Sequence, residues 1–257
     1  MKIPARSILA GLAAAAILTV SSAAIVTAAS PAVAGGPGGK GVCATAADAV
    51  KASRSVDTLR AFGNCEVARR FTTLDSVASH VSGSKVLTSS DSAALSSEIA
   101  STRSGLTSLK AQIDAETSLA ALKTEVRKIA TDYRVYLLVV PQVHLTNASD
   151  AVLAAQTKFA AVNTNLAARI ATAKAAGKNT TAAQVDLDTM NAAVAAAAGL
   201  ASPLPAQLLP LTPAEYNAGT AGPVLAAART AIVAARNDLK SAVADAKACR
   251  AALKALK

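Results

Sequence analysis

The stretch LAAARTAIVAARNDLKSAVADAKACRAALKAL, residues 225–256, decides the fold. Leu225, Ala228, Ile232, Ala235, Leu239, Ala242, Ala246, Cys249, Leu253 and Leu256 recur three and four positions apart, in alternation. A period of about 3.5 residues draws one narrow apolar stripe down a helix, the seam of left-handed, coiled-coil-like packing. Four of these ten positions are alanine, the best helix former, whose single methyl lets neighbouring backbones approach closely.

Working outward, the same spacing recurs upstream. It runs through Val67, Phe71, Leu74, Ala78 and Val81; through Leu95, Ile99, Thr102, Leu106, Leu109 and Ile113; and through Leu119, Leu122, Val126, Ile129, Tyr133, Tyr136 and Val140. Val152, Ala155, Phe159, Val162, Leu166 and Ala173 repeat it, with Arg169 interrupting. The composition agrees: 52% of the 257 residues are hydrophobic, 16% charged and 2% aromatic, with no Trp. Disordered chains carry more charge and less apolar content, and all-β folds want more aromatic and β-branched residues. The fold class is therefore all-α: an elongated antiparallel helical bundle.

Breaks punctuate the stripes. Gly63-Asn64 is predicted to end a first helix of about Ala44–Phe62, Gly83-Ser84 a second, and Thr88-Ser89-Ser90 to cap a third. The stripe slips phase around Asp114–Ser118, as a tight turn or a kink. Pro141 ends or kinks the fourth helix. Gly177 ends the fifth, and Thr181 with Gln184 forms a capping box for the sixth. Residues 202–222, with Pro203, Pro205, Pro210 and Pro213, make a long connection, and Pro223 suits the first turn of the last helix. Tyr133–Val140 is apolar nearly all round apart from Arg134, as in a central helix buried on every side. Its alternative reading is an apolar ligand pocket formed by Tyr133, Tyr136, Leu137 and His144.

Residues 1–34 read as a signal peptide: Lys2 and Arg6, an uncharged apolar run Ile8–Ala29, Pro31, then the small-residue site Ala32-Val33-Ala34. An uncleaved anchor is the alternative, since the run is long enough to span a bilayer. With cleavage, no stable membrane span is expected. A flexible leader, 35–43, precedes a single helical domain, 44–257. The localisation expected is secreted or extracytoplasmic.

Three cysteines in an exported chain permit one internal disulfide. If Ala44–Phe62 is one helix, it is about 28 Å long and holds Cys43 and Cys65 apart, beyond the roughly 7 Å that a disulfide tolerates. The expected pair is Cys65–Cys249, with Cys43 free or intermolecular.

Catalytic signals are thin. His80 and His144 are the only histidines, and no HExxH, CxxC or CxxCH spacing occurs, which argues against zinc and covalent haem. No Gly-x-Ser-x-Gly is present. The carboxylates to weigh are Glu125, Asp132, Asp186 and Asp188; the last two, two apart on a helix, do not face each other. The chain is read as non-enzymatic, without a cofactor.

Charge says more. The sequence carries 26 basic and 16 acidic residues, and removing 1–34 leaves 24 against 16. The last helix holds Arg229, Arg236, Lys240, Lys247, Arg250, Lys254 and Lys257 against Asp238 and Asp245. Such a face suits anionic envelope polymers or another envelope protein. Nucleic acid is a poor fit because aromatic residues for base stacking are scarce.

The export signal, the alanine-rich heptads and segments such as Tyr133-Arg134-Val135-Tyr136 and Leu209-Pro210-Leu211-Thr212-Pro213 together resemble the alanine-rich secreted helical proteins of high-GC Gram-positive bacteria. The resemblance implies an exported coiled-coil-like protein and supplies no active site to carry over. The resulting expectation is a secreted structural or interaction protein. An extracellular carrier of an apolar ligand near Tyr133 and Tyr136 is the alternative.

Overall fold

A computed structural model describes residues 41–256, and the folded unit begins at Val42. The signal-peptide reading and most of the leader lie outside the described residues. Among the described residues the structure is all helical: α1 (Ala44–Ala52), α2 (Val56–Gly83), α3 (Ser89–Ala115), α4 (Leu119–Thr131), a π-helical turn (Val135–Val139), α5 (Val140–Ala175), α6 (Thr181–Ala201), the short α7 (Leu204–Leu208) and α8 (Pro213–Asn217), and α9 (Ala221–Ala255).

The stripes of α3 and α9 bury most completely; those of α2, α4 and α5 bury only in part, with Phe71, Leu119, Val126, Phe159 and Val162 at the margin. All six positions of the α3 stripe are buried. In α9, Leu225, Ala228, Ile232, Ala235, Ala242, Ala246, Cys249 and Leu253 are buried. Leu239 and Leu256 pack at the margin of the core. In α5 the stripe passes through Ile170 rather than its neighbour Arg169, which is exposed. Short links then turn successive helices back on one another. Their starts are capped by side chains: Ser55 and Thr58 form a reciprocal box on α2, and the hydroxyls of Thr88 and Ser118 accept from Asp91 N–H and Ala121 N–H.

Two packed regions share one spine. A first core joins α2, α3 and α4 with Val135, Val139 and Val143. A second joins the far half of α5, through Leu166 and Ile170, to α6 and α9. Between them, Leu145 and Ala148 of α5 pack with Leu204 and Leu208 of α7 and Leu225 and Ile232 of α9. Helix α5, 36 residues and so about 54 Å long, runs through all of these regions.

Several expectations are corrected. The first helix does not run Ala44–Phe62. It breaks at Ser53–Ser55, because Ser55 takes an extended conformation to cap α2. The chain folds back there, bringing Cys43 and Cys65 to a Cα separation of 5.8 Å, and these two form the disulfide. The expected Cys65–Cys249 bond is therefore wrong: Cys249 is a buried free thiol in the second core. Cys43, assigned to the leader, is 6% exposed and belongs to the folded unit.

Gly63 ends no helix. It lies inside α2, where an added Cβ would come 2.9 Å from Val126 Cγ2 and 3.4 Å from Ile113 Cγ2. It is glycine for close approach of α4. Pro141 starts a helix rather than ending one. It occupies the first turn of α5, where a missing N–H is tolerated. The real break is at Asp132–Arg134, and Arg134 has a left-handed φ of 41°. That conformation is held by α8: the Arg134 guanidinium donates to Asn217 Oδ1 and lies 5.1 Å from the Tyr216 ring, while Asn217 Nδ2 donates to the Thr131 carbonyl. The capping box at Thr181 does not form; Thr180 is the cap position, and Asn179 Oδ1 accepts the Thr181 N–H instead. The long connection at 202–222 is not structureless, since it carries α7 and α8.

The segment buried on all sides is not Tyr133–Val140, where Leu137 is 47% exposed. It is the next stretch, Gln142–Val152, which buries Gln142, Val143, Leu145, Thr146, Ala148, Ser149, Asp150 and Val152.

Candidate functional site

Helix α9 sorts its charges by side. At about 100° per residue, Arg229, Arg236, Lys240, Lys247, Arg250 and Lys254 fall within an arc of about 80°, over a rise of about 37 Å. Asp238 and Asp245 fall on the opposite side of the helix, so the core stripe separates the two signs. Five of the six cations are exposed and Arg236 is half-buried. Val233, 58% exposed, lies just beside this arc.

Among the described residues these cations form no ion pair. The seven ion pairs among the described residues all lie between Asp48 and Lys128. Residues 41–133 hold 11 basic against 10 acidic residues, whereas 134–257 hold 12 against 6. The stretch 41–133 is thus nearly neutral and largely paired within itself, and 134–257 carries a larger excess. Near the end of α9, an open cavity of about 320 Å³ is lined by Arg169, Thr172, Ala173, Ala176, Lys178, Leu253 and Leu256. On α9 it touches Leu253 and Leu256, away from the cationic row, and its basic residues Arg169 and Lys178 come from α5 and the link after it. In the second core, burial raises the pKa of the Cys249 thiol, and Asp186 adds to the shift.

The four residues expected to share an apolar pocket diverge. Tyr133 lies against Gly105 of α3, at whose position an added Cβ would meet the Tyr133 Cε1 at 2.5 Å; burial raises its hydroxyl pKa, helped by Asp132. Tyr136 turns to α2, with its ring 4.9 Å and 5.2 Å from the guanidinium carbons of Arg69 and Arg70 and its hydroxyl 3.4 Å from Thr73 Oγ1. Leu137 points out. His144 packs against His80, ring centroids 5.2 Å apart, and its pKa is lowered by burial and then by His80. None of the four lines the 320 Å³ cavity or a second one of about 120 Å³, bounded by Phe62, Glu66, Arg70, Val126, Ile129 and Ala130.

The carboxylates weighed for catalysis are dispersed. Glu125 pairs with Lys128 at 2.9 Å, Asp132 is exposed and accepts from Thr131 Oγ1, Asp188 accepts from Gln184, and Asp186 lies near Cys249. Among the described residues, no three His, Cys, Asp or Glu side chains gather as a closed metal site would require, and no helix is long and apolar enough to cross a membrane.

Sequence reasoning missed the polar face inside α5. Gln142 Nε2 donates to the Leu208 and Leu211 carbonyls, Ser149 Oγ donates to the Ala201 carbonyl, and Asp150 Oδ2 accepts the Thr88 N–H at the start of α3. Burial raises the Asp150 pKa, partly offset by the Thr88 hydrogen bond. These side chains tie α3, α6 and α7 to the spine. Polar residues at helical spacing read as a solvated face, so nothing in the sequence marked them as interior.

No family model, curated protein or solved structure matches this chain.

Proposed function

We propose that this is an exported, non-enzymatic interaction protein, with the signal peptide at residues 1–34, that binds anionic polymers of the cell envelope through α9. The observation that carries the reading is the row of six α9 cations that form no ion pair among the described residues, in a molecule whose stretch 41–133 largely pairs its charges within itself. Exposed, unpaired cations ordered along a rigid rod need no rearrangement to meet a linear polyanion, and the attraction falls with salt. The short cation-to-cation spacing suits a repeating charge, and the rise of about 37 Å matches roughly 11 residues of an extended acidic peptide.

Retention on purified cell wall across a salt series tests the reading. Wild-type protein is expected to bind at low salt and elute as salt rises. The Arg236→Gln, Lys240→Gln, Lys247→Gln triple variant is expected to elute earlier. No retention at low salt, or identical elution of the two proteins, refutes it. Mass analysis of the exported protein tests the leader, with a mature chain starting at Gly35 expected.

A further inference from the structure

His80 lies in the last turn of α2 and His144 in the second turn of α5. No ligand spacing in the sequence marks them, but the fold brings their rings to a centroid separation of 5.2 Å, tilted by 57°. Two more links follow at the next turns. Ser84 Oγ donates to Asn147 Oδ1 at 2.6 Å, and Asp150 Oδ2 accepts the Thr88 N–H at 2.8 Å. His80, Ser84 and Thr88 thus meet His144, Asn147 and Asp150 in order. The end of α2 is held in register along α5, and the two imidazoles are positioned by the fold.

The ring nitrogens are free and reachable. Among the described residues neither ring has a hydrogen-bond partner, His80 is exposed, and no nitrogen of the half-buried His144 is sealed from solvent. Burial, and then His80, lower the His144 pKa below its ordinary 6.5, so this ring is neutral at pH 7 and has a lone pair to share. Neutral imidazole nitrogen suits transition metals such as zinc, copper and nickel. Two imidazoles on one zinc ion, with zinc–nitrogen distances of about 2.0–2.1 Å and tetrahedral angles, have ring centroids about 5 Å apart. The right angle of a square-planar copper site brings them to about 4.5 Å. The pair has the tetrahedral separation. The outer torsion of histidine is soft, so each ring can turn a nitrogen toward the other with its helix in place.

We propose that His80 and His144 together bind one divalent transition-metal ion, zinc in tetrahedral geometry, where the end of α2 meets α5. No third His, Cys, Asp or Glu joins them among the described residues, so two coordination positions are left to water. The ion clips α2 to α5 in a chain that is already folded. Magnesium and calcium, which seek oxygen ligands, do not suit this donor pair. The site shares no residue with the cationic row of α9 and does not rest on the envelope reading.

Zinc chloride is the probe, on the untagged full chain after treatment with a chelator, with magnesium chloride as the control. Titration calorimetry at neutral pH is expected to show saturable one-to-one zinc binding and no magnesium response, and the melting temperature is expected to rise with zinc. His80→Gln, at an exposed position, leaves one imidazole and is expected to weaken zinc binding roughly tenfold or more without unfolding the chain. Labelling with diethyl pyrocarbonate, read by mass spectrometry, locates the ion: zinc is expected to protect both His80 and His144. No saturable zinc response in the wild type overturns the site, as does undiminished affinity in a folded His80→Gln or labelling of the two histidines unchanged at saturating zinc. Magnesium saturating as zinc does overturns the assignment to imidazole ligands.

Discussion

Gly105 and Tyr133 set the closest contact between α3 and the joint after α4. A methyl at Gly105 enters the tyrosine ring, whereas a methyl at Gly199, inside α6, meets nothing within 4 Å. Overpacking costs about 1–3 kcal/mol, and glycine-to-alanine in a helix gains roughly 0.5–1 kcal/mol. Gly105→Ala is therefore expected to lower the melting temperature by a few degrees and Gly199→Ala to raise it by about 2 °C, both measurable by circular dichroism. His144 adds a pH dependence at the same scale. Its folded pKa lies below the unfolded 6.5, because of burial and then His80. Its stabilising contribution is thus complete above pH 6.5 and is lost as pH falls through the folded value. Asp150 has the opposite sign: its folded pKa is raised above 3.8, so its contribution is present at low pH and is lost as pH rises through the folded value. The melting temperature is expected to fall as pH drops from 7 to about 5.5, and to fall less in His144→Gln.

Among the elements, α3 and α9 were legible residue by residue, because a stripe at a period of about 3.5 leaves one solution for which side is buried. Their loops were less so. The break at Ser53–Ser55 contains no glycine or proline; Ser55 and Thr58 cap each other there, and that local hydrogen bonding left no strong mark in the sequence. Gly63 gave the contrary signal, since a glycine needed for close approach reads like one that ends a helix. The unforeseen break at Ser53–Ser55 carried the disulfide with it, because an unbroken Ala44–Phe62 helix would hold Cys43 and Cys65 apart. Non-reducing mass mapping is expected to recover Cys43 joined to Cys65 and to find Cys249 as the free thiol, alkylated only on unfolding. The 22-residue separation makes the bond worth about 3 kcal/mol in the chain-entropy account, to be seen as a lower denaturation midpoint in Cys43→Ser, Cys65→Ser protein. Ser55→Ala is expected to cost about 1 kcal/mol by removing the α2 cap.

For the whole molecule, the division of charge follows from the sequence but its geometry does not. The basic residues of α9 could be counted from the sequence, while their lack of ion pairs among the described residues became visible only once the ion pairs were found within 41–133. The Arg69–Arg70 cluster was illegible, since two adjacent arginines on a helix read as solvated until the fold lays Tyr136 against them. The most direct test of the cationic face is lysine acetylation of the folded protein, alone and with a soluble envelope polyanion at low salt, read by mass spectrometry. Lys240, Lys247 and Lys254 are expected to be protected by the polymer, and Lys51, Lys110 and Lys128, which already pair within their own helices, to be unchanged. Uniform protection of both sets, or none on α9, would contradict the account.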